Sequence, residues 1–234
     1  MRSTGSAFPR CRAVADHAVL IEFGDVISRD VHDQVRRLDA TLATRPFEGF
    51  SEAIPAYTSV LIEFDPLVTD HERVEAALSK LLDERSATHQ KGASREVLVC
   101  YEDEYAPDLQ QIAVLSGLSA EDVIKAHLSG AYSVFMYGFA PGYAYLAGVP
   151  EAIQQPRKPT AIRDIPAGSV MIAGPQCLVT TLKMPTGWWI IGRSPTPILL
   201  DDIDRPFLFD VGDDVIFRKI DRATFEAADR RGES

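Results

Sequence analysis

Cysteine is scarce in this 234-residue chain: Cys11, Cys100 and Cys177 are widely separated and odd in number. Neither a disulfide framework nor a Cys-x-x-Cys metal spacing is available, which suits a reducing compartment. No apolar run approaches the roughly 20 residues that a membrane helix requires. The first residues lack the apolar stretch and cleavage pattern of a signal peptide, so Met1–Arg10 reads as a frayed leader. Positive charge is also in short supply, 24 Lys and Arg against 34 Asp and Glu, a net charge of −10. Such a field repels nucleic acid and anionic membranes, and neither is expected as a partner. Gly-x-Gly-x-x-Gly, a Walker loop, a Gly-x-Ser-x-Gly elbow and His-Glu-x-x-His are all missing. Chemistry on a nucleotide or a carbonyl therefore needs another constellation or a partner. The expectation is a cytoplasmic protein with no metal site.

What remains is ordinary globular composition, 46% hydrophobic and 25% charged, in a chain long enough for one large or two modest domains. Val-Leu-Ile-Glu-Phe occurs twice, at Val19–Phe23 and Val60–Phe64, each rich in strand formers and closed by a turn. A helical pattern follows each copy. Val31, Val35, Leu38 and Leu42 share one face behind Ser28 as cap; Val74, Ala77, Leu78, Leu81 and Leu82 share another behind Thr69 or Asp70. With further strands near Arg12–Ala15 and Phe50–Ile54, the pattern predicts a split β-α-β, ferredoxin-like domain. Ser86–Ser94 is polar, lacks periodicity and reads as a linker.

Beyond it come a strand at Glu96–Tyr101, a helix at Pro107–Leu115 and a helix at Ala120–Leu128. Ser119 caps the latter, with Asp122 in capping-box relation. From Tyr132 onward short strands alternate with Gly/Pro turns, the signature of a β-barrel or sandwich. The last strand is Asp214–Ile220, and a solvated, charged helical tail follows.

Candidate chemistry concentrates in this half. Gly138-Phe-Ala-Pro-Gly-Tyr-Ala-Tyr-Leu146 reads either as a pocket wall presenting Phe139, Pro141, Gly142 and Tyr143 or as a tight barrel corner with core aromatics. His127 ends a helix, as a proton carrier or as compensation for the helix dipole. Arg157-Lys158 and Arg163 flank a Pro-rich loop, as carboxylate or phosphate ligands or as a solvated rim. Ser169 and Gln176 sit at the two ends of one strand, as substrate contacts or turn stabilisers. Strand alternation predicts that one of Trp188 and Trp189 faces in and the other out. Arg193, after a glycine at a strand end, is a candidate anion ligand.

Gly-Phe-Ala-Pro-Gly-Tyr-Ala-Tyr-Leu, Pro166-Ala-Gly-Ser-Val, Ile172-Ala-Gly-Pro-Gln and Gly187-Trp-Trp-Ile-Ile-Gly-Arg occur in order. Together they resemble the family of the 5-oxoprolinase B-type subunits, also called allophanate hydrolase subunit 1 or the C-D half of the carboxyltransferase domain. The resemblance covers residues 11–220. It implies an α+β chain with a ferredoxin-like domain at 11–90 and a cyclophilin-like β-barrel at 95–221 that carries the site. It also implies one subunit of a heteromeric amidohydrolase, paired with a sister cyclophilin-like barrel subunit and completed by a further hydrolase subunit. Its reaction is the ATP-dependent hydrolysis of 5-oxoproline to glutamate, with ATP bound within the complex. Two other branches are a urea-carboxylase-like carboxyltransferase half and a histidine-kinase inhibitor. Position by position, the resemblance marks His127, Ser169 and Gln176 as catalytic. It marks Phe139, Pro141, Gly142, Tyr143, Arg157 and Arg193 as substrate-binding; Trp188, and Arg163 one place after the family's usual arginine, are further substrate-binding candidates. The chain departs from the family at Ala161-Ile162, at Cys177-Leu-Val-Thr-Thr181 and at Thr186.

Overall fold

Both copies of Val-Leu-Ile-Glu-Phe form central strands of one antiparallel sheet. The computed structural model describes residues 8–83 and 92–232, and the chain divides into two units, 1–90 and 91–234. The first unit runs β1 (Arg10–Val14), β2 (Ala18–Glu22), α1 (Arg29–Thr44), β3 (Phe50–Pro55), β4 (Ser59–Phe64) and α2 (His71–Asp83). Its sheet order is β1-β2-β4-β3. Alternation buries Val19, Ile21, Val60, Ile62 and Phe64 with Val35, Leu38 and Leu42 of α1 and Val74 and Leu78 of α2.

Ser28 caps α1, accepting the Val31 N–H at 3.2 Å, and Asp70 rather than Thr69 serves α2, accepting the Arg73 N–H at 3.0 Å. Residues 1–7 of the expected leader lie outside the described residues, but Arg10 already pairs with Glu22 in the sheet. Most of the expected linker, Ser86–Ser94, also lies outside them; Ser94 opens the next strand.

The second unit contains β5 (Ser94–Cys100), α3 (Leu109–Ser116), α4 (Ala120–Ser129), β6 (Tyr132–Tyr137), β7 (Ala144–Ala147) and β8 (Ile162–Ile165). It continues through β9 (Ser169–Ala173), β10 (Gln176–Val179), β11 (Met184–Thr186), β12 (Trp189–Arg193), β13 (Asp214–Ile220) and α5 (Arg222–Gly232). Of the two architectures open to such strands, the chain takes the barrel, closed in the order β10-β7-β6-β13-β5-β12-β9. All these pairings are antiparallel except β5 with β13, which run parallel from Ser94↔Asp214 to Cys100↔Ile220. Every barrel strand contributes to a single buried cluster, which is therefore the barrel's inside; Val99, Val134, Leu146, Ile172, Val179 and Phe217 belong to it, with Ile112 and Val123 from the helices.

Two expectations need correction. Trp188 and Trp189 do point to opposite sides of the barrel wall, yet both are buried, at 5% and 7% exposure. Trp189 enters the inner cluster, whereas Trp188 joins a second cluster with Tyr143, Ile165, Met171 and Met184. The separate β8–β11 hairpin supplies Ile165 and Met184 to this cluster, so this stretch of outer wall is not open to water. Nor is α5 a fully solvated tail. Phe225 is buried, with its ring 4.4 Å from that of Tyr105 and the Arg193 guanidinium 5.6 Å above it.

Candidate functional site

A β-bulge shapes the end of β12. On β12, Ile190 pairs with Met171 but Gly192 with Val170, leaving Ile191 as the extra residue. A bulge bends its strand and re-aims the side chains beyond it. Gly192 lets the strand pass close to β5, because a Cβ there would lie 2.6 Å from Val99 Cγ1. Arg193 comes next, opposite Ser169.

Arg193 lines a cleft of about 360 Å³ together with Gly168, Thr181, Ser194, Thr196 and, from α5, Asp229. Backbone bonds knit its floor. Gly168 N–H donates to Thr180 O at 2.7 Å and Ser194 N–H donates to Gly168 O at 2.7 Å. Gly168 has φ +79°, and a Cβ would stand 2.3 Å from Ser194 O, so the motif Pro-Ala-Gly-Ser needs its glycine for this close approach. Ser169 belongs to the same floor rather than to the opening. It is 2% exposed, donates its hydroxyl to Pro166 O at 2.8 Å and donates its N–H to Thr180 Oγ1 at 2.9 Å.

The Gly/Pro loop abuts the rim of this cleft. Thr181 Oγ1 donates to Pro141 O at 2.8 Å, and Gly142 (φ +68°) lies so close to Leu199 that a Cβ would come within 2.6 Å of its Cδ2. Phe139 is 75% exposed with φ +73°, an unusual backbone for an aromatic residue that stores of order 1–3 kcal/mol of strain. Its ring begins a ladder: Phe139–Tyr143 at 5.4 Å, Tyr143–Tyr145 at 5.4 Å and Tyr145–Trp188 at 6.0 Å, with the Arg157 guanidinium 5.5 Å over Trp188. Burial pushes the Tyr143 phenol up, so the ladder is neutral apart from its arginine end.

The sequence-selected residues thus fall into separate groups. Arg193 lines the cleft and Pro141 and Gly142 abut its rim through Thr181 and Leu199, while Phe139, Tyr143, Trp188 and Arg157 belong to the ladder. Arg163 stands exposed on β8. Gln176 pairs with Ala173 at the far end of β9 from Ser169. A five-residue strand spans roughly 13 Å, so one small molecule does not touch both residues.

His127 is fully enclosed. Its Nδ1 is 2.7 Å from the Tyr101 hydroxyl and its Nε2 3.7 Å from Cys177 Sγ, and its ring packs 4.5 Å from Phe217 and 5.2 Å from Tyr132. Burial drives its pKa down to about 3 and pushes the Cys177 thiol up, so imidazole and thiol are both neutral at pH 7. Sequence reasoning missed Asp108 and the pairing of Lys158 with it. Lys158 is not part of a solvated rim: its ammonium forms a buried ion pair with Asp108 Oδ2, which also accepts the Ile190 N–H at 2.7 Å. Trp189 Nε1 donates to Pro156 O at 2.7 Å, so the Pro-rich loop is fastened at two adjacent points.

The family model for the carboxyltransferase domain, subdomain C and D, matches residues 9–209. The chain belongs to this family. Over 228 residues it is 35% identical to the B subunit of 5-oxoprolinase from Bacillus subtilis (strain 168), covering 92% of this chain and 94% of that protein. The crystal structure of TTHA0988 superposes with a TM-score of 0.76 at 30% identity, over 88% of this chain; this chain spans 40% of that longer one. Urea carboxylase from Kluyveromyces lactis shares the fold, with a TM-score of 0.77 at 19% identity over 93% of this chain and 22% of its own.

Proposed function

We propose that this chain is the B-type subunit of an ATP-dependent 5-oxoprolinase, an amidohydrolase that opens the lactam of 5-oxoproline to glutamate. In this reading the first unit is a ferredoxin-like sandwich and the second a cyclophilin-like barrel carrying the site. A sister barrel subunit and a further hydrolase subunit complete the enzyme. The observation that carries the reading is the 35% identity, over nearly the full length of both chains, to a protein named as the B subunit of 5-oxoprolinase. That correspondence outweighs the 19% identity to the urea carboxylase, which speaks for the fold alone.

The cleft suits a substrate of this kind. 5-Oxoproline is an anion, and Arg193 offers terminal guanidinium nitrogens beside the hydroxyls of Ser194 and Thr196. Those groups orient the carboxylate. Ser169 holds the floor beneath them, and His127 with Tyr101 stabilises the barrel interior as a neutral pair.

In the Gly/Pro loop, Gly138 N–H donates to Tyr143 O, Ala140 N–H to Gly138 O and Tyr143 N–H to Ala140 O, which leaves Phe139 and Gly142 as its remaining N–H donors. In this reading ATP is bound within the complex, by a partner subunit. The test is glutamate release from 5-oxoproline by this chain co-expressed with the sister and third subunits, each component omitted in turn. Turnover only in the full mixture supports the reading; an assembled complex that leaves 5-oxoproline intact overturns it.

A further inference from the structure

Two opposite charges line the same cleft without neutralising one another. Arg193 reaches it from the end of β12 and Asp229 from α5. The hydrogen bonding of Arg193 is a single contact of 3.3 Å from Nε to Ala167 O, so both terminal nitrogens are uncommitted. Among the described residues, Asp229 has neither a hydrogen-bond nor an ion-pair partner. Both residues are half-buried, where an unpaired charge is costlier than at an open surface.

Arg193 is held by Ala167 and by its seat over Phe225, one face of the same helix that carries Asp229. Of the other residues lining the cleft, the Ser194 hydroxyl accepts the Thr196 N–H at 3.1 Å, and the Thr196 hydroxyl accepts the Leu98 N–H at 3.0 Å. Each hydroxyl therefore retains its proton for donation. A volume of about 360 Å³ lies within the usual range for small-molecule sites, about 300–1,000 Å³.

We propose that this cleft recognises a small molecule carrying both a carboxylate and an N–H donor. Arg193, Ser194 and Thr196 hold the carboxylate and Asp229 accepts the N–H. Asp229 lies beyond residue 209, where the family match stops, so α5 adds a specificity-determining group to the family domain from outside it. The choice of 5-oxoproline as ligand rests on the function proposed above; the recognition of carboxylate plus N–H does not. Replacing the N–H by an ether oxygen would set a lone pair against the Asp229 carboxylate, and sites built around a hydrogen bond reject such analogues strongly.

The test is calorimetric titration of the full chain with 5-oxoproline, with its lactone analogue 5-oxotetrahydrofuran-2-carboxylate, and with N-acetylglycine as an open-chain carboxylate with an amide N–H. The expected result is at least a ~10-fold preference for lactam over lactone. Asp229→Ala should bring that ratio close to one without weakening lactone binding. Arg193→Gln should weaken both acids alike by about 10-fold or more. Asp229→Ala alone suffices for the decision, because among the described residues its side chain makes no hydrogen bond or ion pair whose loss would unfold the chain; an unchanged melting temperature verifies this. An undiminished ratio in Asp229→Ala, or no binding of any of the three compounds, overturns the proposal. N-Acetylglycine bound through both residues while 5-oxoproline is refused supports the cleft assignment and overturns the 5-oxoprolinase reading. Turnover of 5-oxoproline by the full complex with KM unaltered in Asp229→Ala does the reverse.

Discussion

His127 illustrates how residue type and environment compete. A histidine at a helix C-terminus, charged, would favour the dipole by a few tenths to ~1 kcal/mol. Enclosure by Tyr101, Cys177, Tyr132 and Phe217 reverses the balance, since an imidazolium there loses its hydration and finds no carboxylate among these neighbours. The pKa falls from 6.5 to about 3. Between these values the unfolded chain binds a proton that the folded chain refuses, so stability is intact above pH 6.5 and declines as pH falls toward 3. The slope from this one group approaches about 1.4 kcal/mol per pH unit inside the window. Urea titrations at pH 7 and pH 4.5 should show a smaller acid loss in His127→Gln than in the parent chain. Equal losses would mean that His127 is not the group responsible.

The Pro-rich loop shows what a single contact does for an element. The loop leading to β8 and the start of that strand carry three cations in sequence, Arg157, Lys158 and Arg163. They look equivalent there, but only Lys158 is buried against a carboxylate. Its ammonium also lies 5.2 Å from the Trp189 ring, and its N–H donates to Gly187 O at 2.7 Å. Lys158→Met removes the charge while keeping much of the volume, and it leaves Asp108 ionised in a dry place. The expected loss is about 3 kcal/mol or more, read as a lowered urea midpoint. A loss below ~1 kcal/mol would indicate that water replaces the ammonium. Arg157 and Arg163 to Met should be nearly neutral in the same assay, as expected for exposed cations.

At the scale of the whole molecule, each unit owns a hydrophobic cluster, one built on β2, β4, α1 and α2 and the other lining the barrel. All seven barrel strands and the complete cleft belong to residues after 91. The two tryptophans, 188 and 189, also lie there, so their fluorescence reports on the barrel alone. A fragment of residues 92–232 should therefore unfold in urea as one cooperative transition followed by tryptophan fluorescence. A gradual, non-cooperative change would show that the barrel needs the first unit in order to fold.

Much of this architecture was legible because local signals and global structure agree. The doubled pentapeptide, the Ser28 and Ser119 caps and the Gly/Pro punctuation act over a few residues, where propensity, capping and alternation suffice. The candidate residues Arg193, Pro141 and Gly142 were also within reach, because each sits in an ordered motif beside a turn. Neighbourhood across the fold was not. Nothing near Asp229 in the sequence marks it out, and only α5 packing through Phe225 brings it to Arg193's cleft. Likewise alternation placed Trp188 and Trp189 on opposite faces, but only the β8–β11 hairpin made the outer face dry. Periodicity is a property of consecutive residues and is written in the chain itself. Which charge is paired, which histidine is sealed from water and which helix closes a cleft depend on contacts between distant segments, so the tertiary structure alone decided them.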